Sequence, residues 1–195
     1  MPRNLAASAW VSLASHYTEA HRHYHNLTHI DRMLSYLDSV APGHIAIELA
    51  IWFHDVIYNP LARDNEARSA DFFVEQFGNT VTVSLAETVH RLIIATDPKR
   101  SRSGEADENL LIDIDLSILG SPPEYYEKYC ADIRKEYAIV PYPDFIKGRI
   151  SVLENFLTRP VFLTPRFLDL EKQARMNITH EIKTLTDSSK EERGV

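Results

Sequence analysis

Residues 44–55 read HIAIELAIWFHD, and this stretch decides the fold that the sequence predicts. Its apolar residues lie on nearly every side of a helix, so His44 to about Tyr58 predicts a helix buried in the middle of the molecule. The pair His54 and Asp55 directly follows the apolar run. Burial of an unpaired carboxylate costs several kcal/mol, so we expect a metal ion or a set of hydrogen-bond donors beside Asp55. The alternative is a helix end in solvent, with Asp55 paired to an arginine.

Helical periodicity recurs along the rest of the chain and predicts an all-α fold of about nine helices. The 195 residues include 6 Gly and 10 Pro, few of the turn residues that all-β folds need. We predict one helical domain over residues 1–186 and a polar, disordered tail over 187–195. Helices are expected over residues 5–20, 27–40, 44–58, 64–77, 81–96, 110–119, 122–137, 143–157 and 166–185, with an exposed loop of mixed charge at 97–109.

Composition excludes several classes of function. Cys130 is the only cysteine, so no intrachain disulfide can form and any metal must use nitrogen and oxygen ligands. The net charge of −7 argues against binding to a nucleic-acid polymer. The apolar run 45–53 is shorter than the roughly 20 residues that cross a bilayer, and residues 1–20 show no secretory signal. We therefore expect a cytoplasmic protein without a membrane partner.

Two further motifs carry metal-ligand residue types. His25 and His29, in YHNLTH, are four residues apart and share one helix face; alternatively they are surface or capping histidines at a helix start. Asp113 and Asp115 diverge by about 200° on a helix, so only one is expected to reach a shared centre. With His54 and Asp55, these residues predict a nitrogen and oxygen site for one divalent ion, such as Fe, Mn, Zn, Ni, Co or Mg.

In order and spacing, these residues resemble the HD-domain superfamily of metal-dependent phosphohydrolases, whose signature is a His, a His-Asp pair and a distant Asp. YHNLTH (24–29) and DLS (115–117) are similar to stretches of the cyclic nucleotide phosphodiesterases in that superfamily. Over roughly residues 22–182, the chain is most similar to a group of small bacterial predicted metal-dependent HD phosphohydrolases. The shared segments are YHNLTHI, FHDVIY, DNEARSA, DLSILG, RKEYA and ARMNI.

The resemblance implies a role for each matched residue. His29, His54, Asp55 and Asp115 are implied as metal ligands, with Asp115 in preference to Asp113. His25 is implied as the general acid that protonates the leaving group, and Asp55 also counts among the catalytic residues. The implied reaction is hydrolysis of a small phosphate ester, possibly a nucleotide, by a metal-activated water. Two alternatives stay open: metal-dependent hydration or hydrolysis of a non-phosphate substrate, and a non-catalytic ligand-sensing module with a structural metal.

Three other residues are weaker predictions. Glu66, at the start of the predicted fourth helix, could act as a catalytic base or hold water; alternatively it is a helix N-terminal acid that complements the dipole. Arg134 and Arg63 are expected to bind the substrate phosphate. The alternative for Arg134 is an ion pair with Asp132 or Glu136. A homodimer is also possible, because periodicity does not separate a dimer face from core.

Overall fold

The computed structural model describes the backbone of residues 3–191 and the side chains of residues 10–190. Within this part of the chain it contains nine α-helices and no β-strand, so the predicted all-α class is confirmed. Short 3-10 helices lie at Gly78–Thr80, Leu116–Gly120 and Pro165–Phe167. The α-helices are α1 (Arg3–Tyr17), α2 (Leu27–Val40), α3 (Ile45–Phe53), α4 (Asn65–Phe77), α5 (Val83–Ala95), α6 (Ala106–Asp115), α7 (Pro123–Glu136), α8 (Tyr142–Leu157) and α9 (Leu168–Glu191).

The described chain divides into two compact units, with the division between Ile114 and Asp115. The sequence analysis expected one domain over residues 1–186. Periodicity shows which face of a helix is buried but not which helices share a core, so this division was not predictable from the pattern. No helix of the described residues is both long enough and apolar enough to span a membrane.

Helix α3 is the centre of the first unit, as predicted. It contacts α2, α4 and α5, and Ile47, Ala50 and Ile51 are fully buried. Burial on several sides follows from the nearly all-apolar sequence of this helix. Other fully buried residues of this unit come from the surrounding helices: Ile30, Met33, Ala70, Phe73, Val89, Leu92, Ile93, Leu111 and Ile114.

The predicted end of α3 at Tyr58 is wrong, because the helix ends at Phe53. After Phe53, side chains of α4 form hydrogen bonds with backbone groups that would have bonded within the helix if it had continued. The Ser69 hydroxyl accepts from the Ile57 amide at 3.1 Å. The Asn65 side chain accepts from the Asn59 amide at 3.0 Å and donates to the Asn59 carbonyl at 2.9 Å. These contacts fix the non-helical segment that follows the His-Asp pair.

The second unit contains α7, α8 and α9 around a buried polar group. Arg149 donates two hydrogen bonds to Glu181, at 2.8 and 3.1 Å, and a third to the Tyr129 hydroxyl at 3.1 Å. Tyr126 donates to Glu181 at 2.5 Å. The half-buried Cys130 donates its thiol hydrogen to the same carboxylate, and burial together with the Glu181 charge raises the pKa of the thiol to about 12. One carboxylate therefore joins all three helices.

Helix α9 continues to Glu191, beyond the end that the sequence predicted near Leu185. Part of the predicted tail over 187–195 is thus helical, and residues 192–195 lie outside the described residues. The extension is polar, so apolar periodicity gave no sign of it. Hydrogen bonds typical of a helix support it: the Ser188 hydroxyl donates to the Thr184 carbonyl, four residues earlier, at 3.0 Å.

Candidate metal centre

The end of α3 fixes the orientation of the His54 ring. His54 is the C-terminal cap of the helix, and its Nδ1 lies 2.9 Å from the Ile51 carbonyl oxygen. A carbonyl can only accept, so the Nδ1 atom carries a proton, and Nε2 is the ring atom that can bind a metal when it is unprotonated. This arrangement is the one that commonly orients metal-binding histidines.

The start of α2 places His29. Helix α2 begins at Leu27 as predicted, and the Asn26 side chain caps it by accepting from the Thr28 amide at 2.8 Å. This cap is the feature that the capping alternative required, but His29 itself points away from solvent, with only 3 % of its surface exposed. The asparagine cap and a buried histidine therefore occur together.

His29, His54 and Asp55 form one compact group. His29 Nε2 lies 3.4 Å from His54 Nε2, and Asp55 Oδ2 lies 3.0 Å from His54 Nε2 and 3.9 Å from His29 Nε2. Their ligand atoms all lie within 4.8 Å of one another, so the group could hold a metal ion. Two ligand atoms that share an ion at about 2.1 Å stand roughly 3.0 to 3.4 Å apart at ordinary coordination angles. Two of the three separations already fall in that range.

The electrostatics of the group keep Asp55 ionised. Although burial raises it, the pKa of Asp55 is held well below its usual range by the nearby imidazoles of His54, His25 and His29. Asp55 is therefore an anion in a nearly buried place, beside two ring nitrogens. Such a donor set suits a divalent ion that accepts nitrogen and oxygen ligands.

His25 lies beside this group without belonging to it. Its ring stacks on Tyr58 with the centroids 4.3 Å apart, and the His29 ring is 5.9 Å away. His25 is one of the imidazoles that lower the pKa of Asp55. The position beside the ligands fits the predicted proton donor.

Glu66 lies in the first turn of α4, and its electrostatic neighbours link it to the same region. Burial raises the pKa of Glu66, and so do the negative charges of Asp97 and Asp55, while Lys99 lowers it. A carboxyl with a raised pKa close to a metal ligand is a reasonable acid or base. Glu66 also occupies the position of a helix N-terminal acid, as the alternative expected. Its catalytic role therefore stays a prediction.

The remaining predicted site residues differ in their surroundings. Asp115 is the last residue of α6 and belongs to the second unit, so its role as a ligand stays a prediction. The neighbouring Asp113 is fully buried and accepts from Arg102 at 2.7 Å, which accounts for its charge without a metal. Arg63 is exposed, and its carbonyl oxygen accepts from Lys99 Nζ at 3.2 Å.

The guanidinium of Arg134 has structural partners at the end of α7. It donates to the carbonyl groups of Tyr137 at 2.6 Å and Val140 at 3.3 Å, and it lies over the ring of Phe145. The predicted role of Arg134 in phosphate binding stays a prediction. The alternative ion pair with Asp132 is not formed, since that carboxylate pairs with two lysines, Lys128 and Lys135. The contacts of Arg134 therefore fix a helix end.

Arg22 is a residue of the candidate site that the sequence analysis missed. It is buried, and it donates to the carbonyl groups of His25 at 3.1 Å, Asp55 at 2.6 Å and Val56 at 2.9 Å. One side chain thus holds the histidine loop and the His-Asp turn together. A buried position for arginine has no signal in apolar periodicity, and only its place just before YHNLTH could have suggested it.

Comparison of the chain with protein-family models, curated proteins and solved structures finds no match.

Proposed function

We propose that this chain is a metal-dependent phosphohydrolase of the HD type that acts on a small phosphate ester, possibly a nucleotide. The observation that carries the proposal is the convergence of His29, His54 and Asp55 within 4.8 Å, with the His54 ring fixed by the Ile51 carbonyl. Two helices and a turn supply this set, and the resemblance in residues 24–29 and 54–55 singles out the same three ligands.

These three residues would hold one divalent ion. Such an ion would act as a Lewis acid toward a phosphoryl oxygen and would lower the pKa of a water molecule. The identity of the ion is left open among Fe, Mn, Zn, Ni, Co and Mg, all of which accept nitrogen and oxygen ligands to differing degrees.

His25 supplies the proton in this proposal. Stacking on Tyr58 orients its imidazole beside the candidate ligands. A protonated imidazole beside the ligands can donate to the leaving oxygen of an ester. Glu66 is the proposed acceptor of a proton from water, because its carboxyl is electrostatically coupled to Asp55.

Lys99 is the cation that we assign to the substrate phosphate in place of Arg134. Its charge lowers the pKa of Glu66, so it lies within electrostatic reach of the candidate site. Its ammonium is exposed and donates to one carbonyl oxygen, that of Arg63, which leaves donors for an anion.

A second candidate function is metal-dependent hydration or hydrolysis of a non-phosphate substrate. The observation that favours it is the structural use of Arg134, the arginine that was expected to bind phosphate. The same ligands serve both reactions, so the two candidates differ in the need for Lys99.

The first test is the metal content of the purified protein, measured by elemental mass spectrometry. We expect close to one equivalent of a divalent metal in the wild type and almost none in the His54→Ala variant. His180→Ala is the control, because His180 is an exposed histidine of α9 outside the group. Retention of both metal and hydrolysis by the His54→Ala variant would contradict the proposal.

The second test uses the same samples in a phosphate-release screen over nucleotides and other phosphate esters. His25→Ala is expected to lower kcat by about 100-fold or more while the metal stays bound. Lys99→Ala is expected to raise KM for a phosphate ester by about tenfold. The second candidate would be supported instead if a non-phosphate substrate is turned over at the same rate by the wild type and by Lys99→Ala.

A further inference from the structure

A cavity of about 340 Å³ lies in the first unit and is lined by residues that the metal group does not use. One side comes from the second half of α5 and the other from the loop before α6 and the first turn of that helix. The volume is near the lower end of the range for small-molecule sites, roughly 300 to 1,000 Å³. The lining residues are Arg91, Ile94, Ala95, Arg100, Ser101, Ser103, Glu105 and Glu108.

Two arginines of the lining have no partner for their charge. Among the described side chains, neither Arg91 nor Arg100 makes an ion pair or a side-chain hydrogen bond, whereas Arg102, in the same loop, is committed to Asp113. Each guanidinium offers a fork of parallel donors whose geometry matches the oxygens of a phosphate. One guanidinium comes from α5 and the other from the loop before α6. Together they offer more hydrogen-bond donors than one carboxylate ligand could accept, and a phosphate has more acceptor oxygens.

The two acids of the lining do not neutralise these arginines. Glu108 is buried, and its two oxygens accept from the Ser103 amide and the Ser103 hydroxyl, each at 2.6 Å. This carboxylate therefore closes the loop onto α6. Glu105 is exposed to solvent, as are Arg91 and Arg100, and among the described side chains it forms no ion pair with either arginine.

The other lining groups suit the rest of a small organic phosphate. Ser101 has an exposed hydroxyl that can donate one more hydrogen bond to an anion. Ile94 and Ala95 provide apolar surface for carbon atoms next to the charged group. A few convergent polar groups beside apolar surface are the usual composition of a ligand site.

We propose that this cavity binds the phosphate group of a small phosphorylated molecule through Arg91 and Arg100. The site differs from the metal centre in every lining residue, so the proposal stands whether or not the chain hydrolyses phosphate esters. The ligand is a phosphomonoester, which comes either from the substrate pool of the metal centre or from a separate effector.

Calorimetric titration with glycerol 3-phosphate at low salt tests this site. We expect saturable binding to the wild type, and a loss of affinity of about tenfold or more for the Arg91→Gln/Arg100→Gln double variant. The matched control is Arg68→Gln/Arg166→Gln, which removes the same charge from two exposed arginines outside the cavity. Absence of saturable binding to the wild type, or an equal loss in the control, would overturn the proposal.

Two more variants separate this site from the metal centre and from loss of folding. Binding by His54→Ala should equal that of the wild type, and its loss would place the phosphate at the metal centre and overturn the proposal. Ser101→Asp places a negative charge at an exposed position of the lining, so it should weaken binding without change in the thermal midpoint. Unaltered binding by Ser101→Asp would count against the cavity. With binding confirmed, release of inorganic phosphate from glycerol 3-phosphate itself marks a substrate, and a change in the hydrolysis of another ester without such release marks an effector.

Discussion

Arg22 satisfies backbone carbonyl groups on two segments that would otherwise turn polar atoms toward a buried region. It contacts the carbonyls of His25, Asp55 and Val56, and it lies over the rings of Tyr17 and Tyr58. A neutral side chain of similar length would keep part of the packing but none of the donors. The residue therefore holds in place the two segments that carry the candidate ligands.

We predict that Arg22→Met lowers the free energy of unfolding by about 2 to 4 kcal/mol, because it leaves buried carbonyl oxygens without donors. It should also weaken metal binding by roughly tenfold to 100-fold, as is usual when a group that positions ligands is lost. Urea unfolding and a competitive metal titration measure the two effects. Arg68→Met, at an exposed position of α4, is the control and should alter neither. Metal affinity equal to that of the wild type in Arg22→Met would refute the positioning role.

At the residue scale, the sequence indicated the members of the candidate group better than the residues that hold them in place. His54 and Asp55 stood out because polar residues directly followed an apolar helix, and His29 because it belongs to a spaced pair. The contacts of Arg22 and Lys99 depend on which loops meet in space, and no local pattern encodes that. The contacts of Arg134 were not predicted for the same reason, because its carbonyl partners lie in the turn after its helix.

Among the elements, α2 and α3 show why some helix ends are predictable. Helix α2 begins after an asparagine cap and ends before Pro42-Gly43, and both signals are local. The end of α3 at Phe53 depends instead on hydrogen bonds from Ser69 and Asn65, which lie in the next helix. A boundary fixed by distant side chains, as at the end of α3, is therefore harder to predict than one marked by a local cap.

The contact of the Leu116–Gly120 3-10 helix with α9 requires a glycine. A Cβ atom on Gly120 would lie 2.6 Å from the Leu170 Cβ and 3.0 Å from the Leu170 carbonyl oxygen. Backbone of α9 is one of these neighbours, so the helix itself would have to move.

We predict that Gly120→Ala lowers the free energy of unfolding by about 1 to 3 kcal/mol, the usual cost of overpacking. Gly148→Ala is the control, because Gly148 lies within α8 and a Cβ there meets nothing within 4 Å. That variant should raise stability by up to about 1 kcal/mol through helix propensity. Urea unfolding of both variants checks the pair, and equal effects would refute the close-contact explanation.

For the whole molecule, acid stability depends in part on the Arg149 and Glu181 pair of the second unit. Burial raises the pKa of Glu181, but the hydrogen bonds and charge of Arg149 outweigh it and leave the pKa below the ordinary value of 4.5. The unfolded chain therefore binds this proton more readily than the folded one. The stabilisation is present above about pH 4.5 and is lost as the pH falls through the lowered pKa.

We predict that Glu181→Ala lowers the free energy of unfolding at pH 7 by about 3 to 5 kcal/mol, because Arg149 stays buried without its counter-charge. Below pH 4.5 the stability of this variant should decline less steeply than that of the wild type. Glu154→Ala, at an exposed position of α8, serves as the control. Urea unfolding from pH 3 to pH 7 gives both quantities, and parallel curves for wild type and Glu181→Ala would contradict the assignment.

The all-α class followed from composition and periodicity, since both report on local structure. The division between Ile114 and Asp115 did not, because it depends on which helices pack together. The Arg149 pair shows the same limit: its members are 32 residues apart and each looks like an ordinary charged helix residue in the sequence.

The protonated, hydrogen-bonded state of Cys130 has a practical consequence for chemical labelling. A thiol with a pKa of about 12 contains almost no thiolate at neutral pH, and thiolate is the form that reacts with maleimides and iodoacetamides. The chain has no other cysteine, so a cysteine introduced at a solvent-exposed position would react selectively. Fluorescent or spin probes can thus be attached to the natural sequence background at a chosen place, without first replacing Cys130.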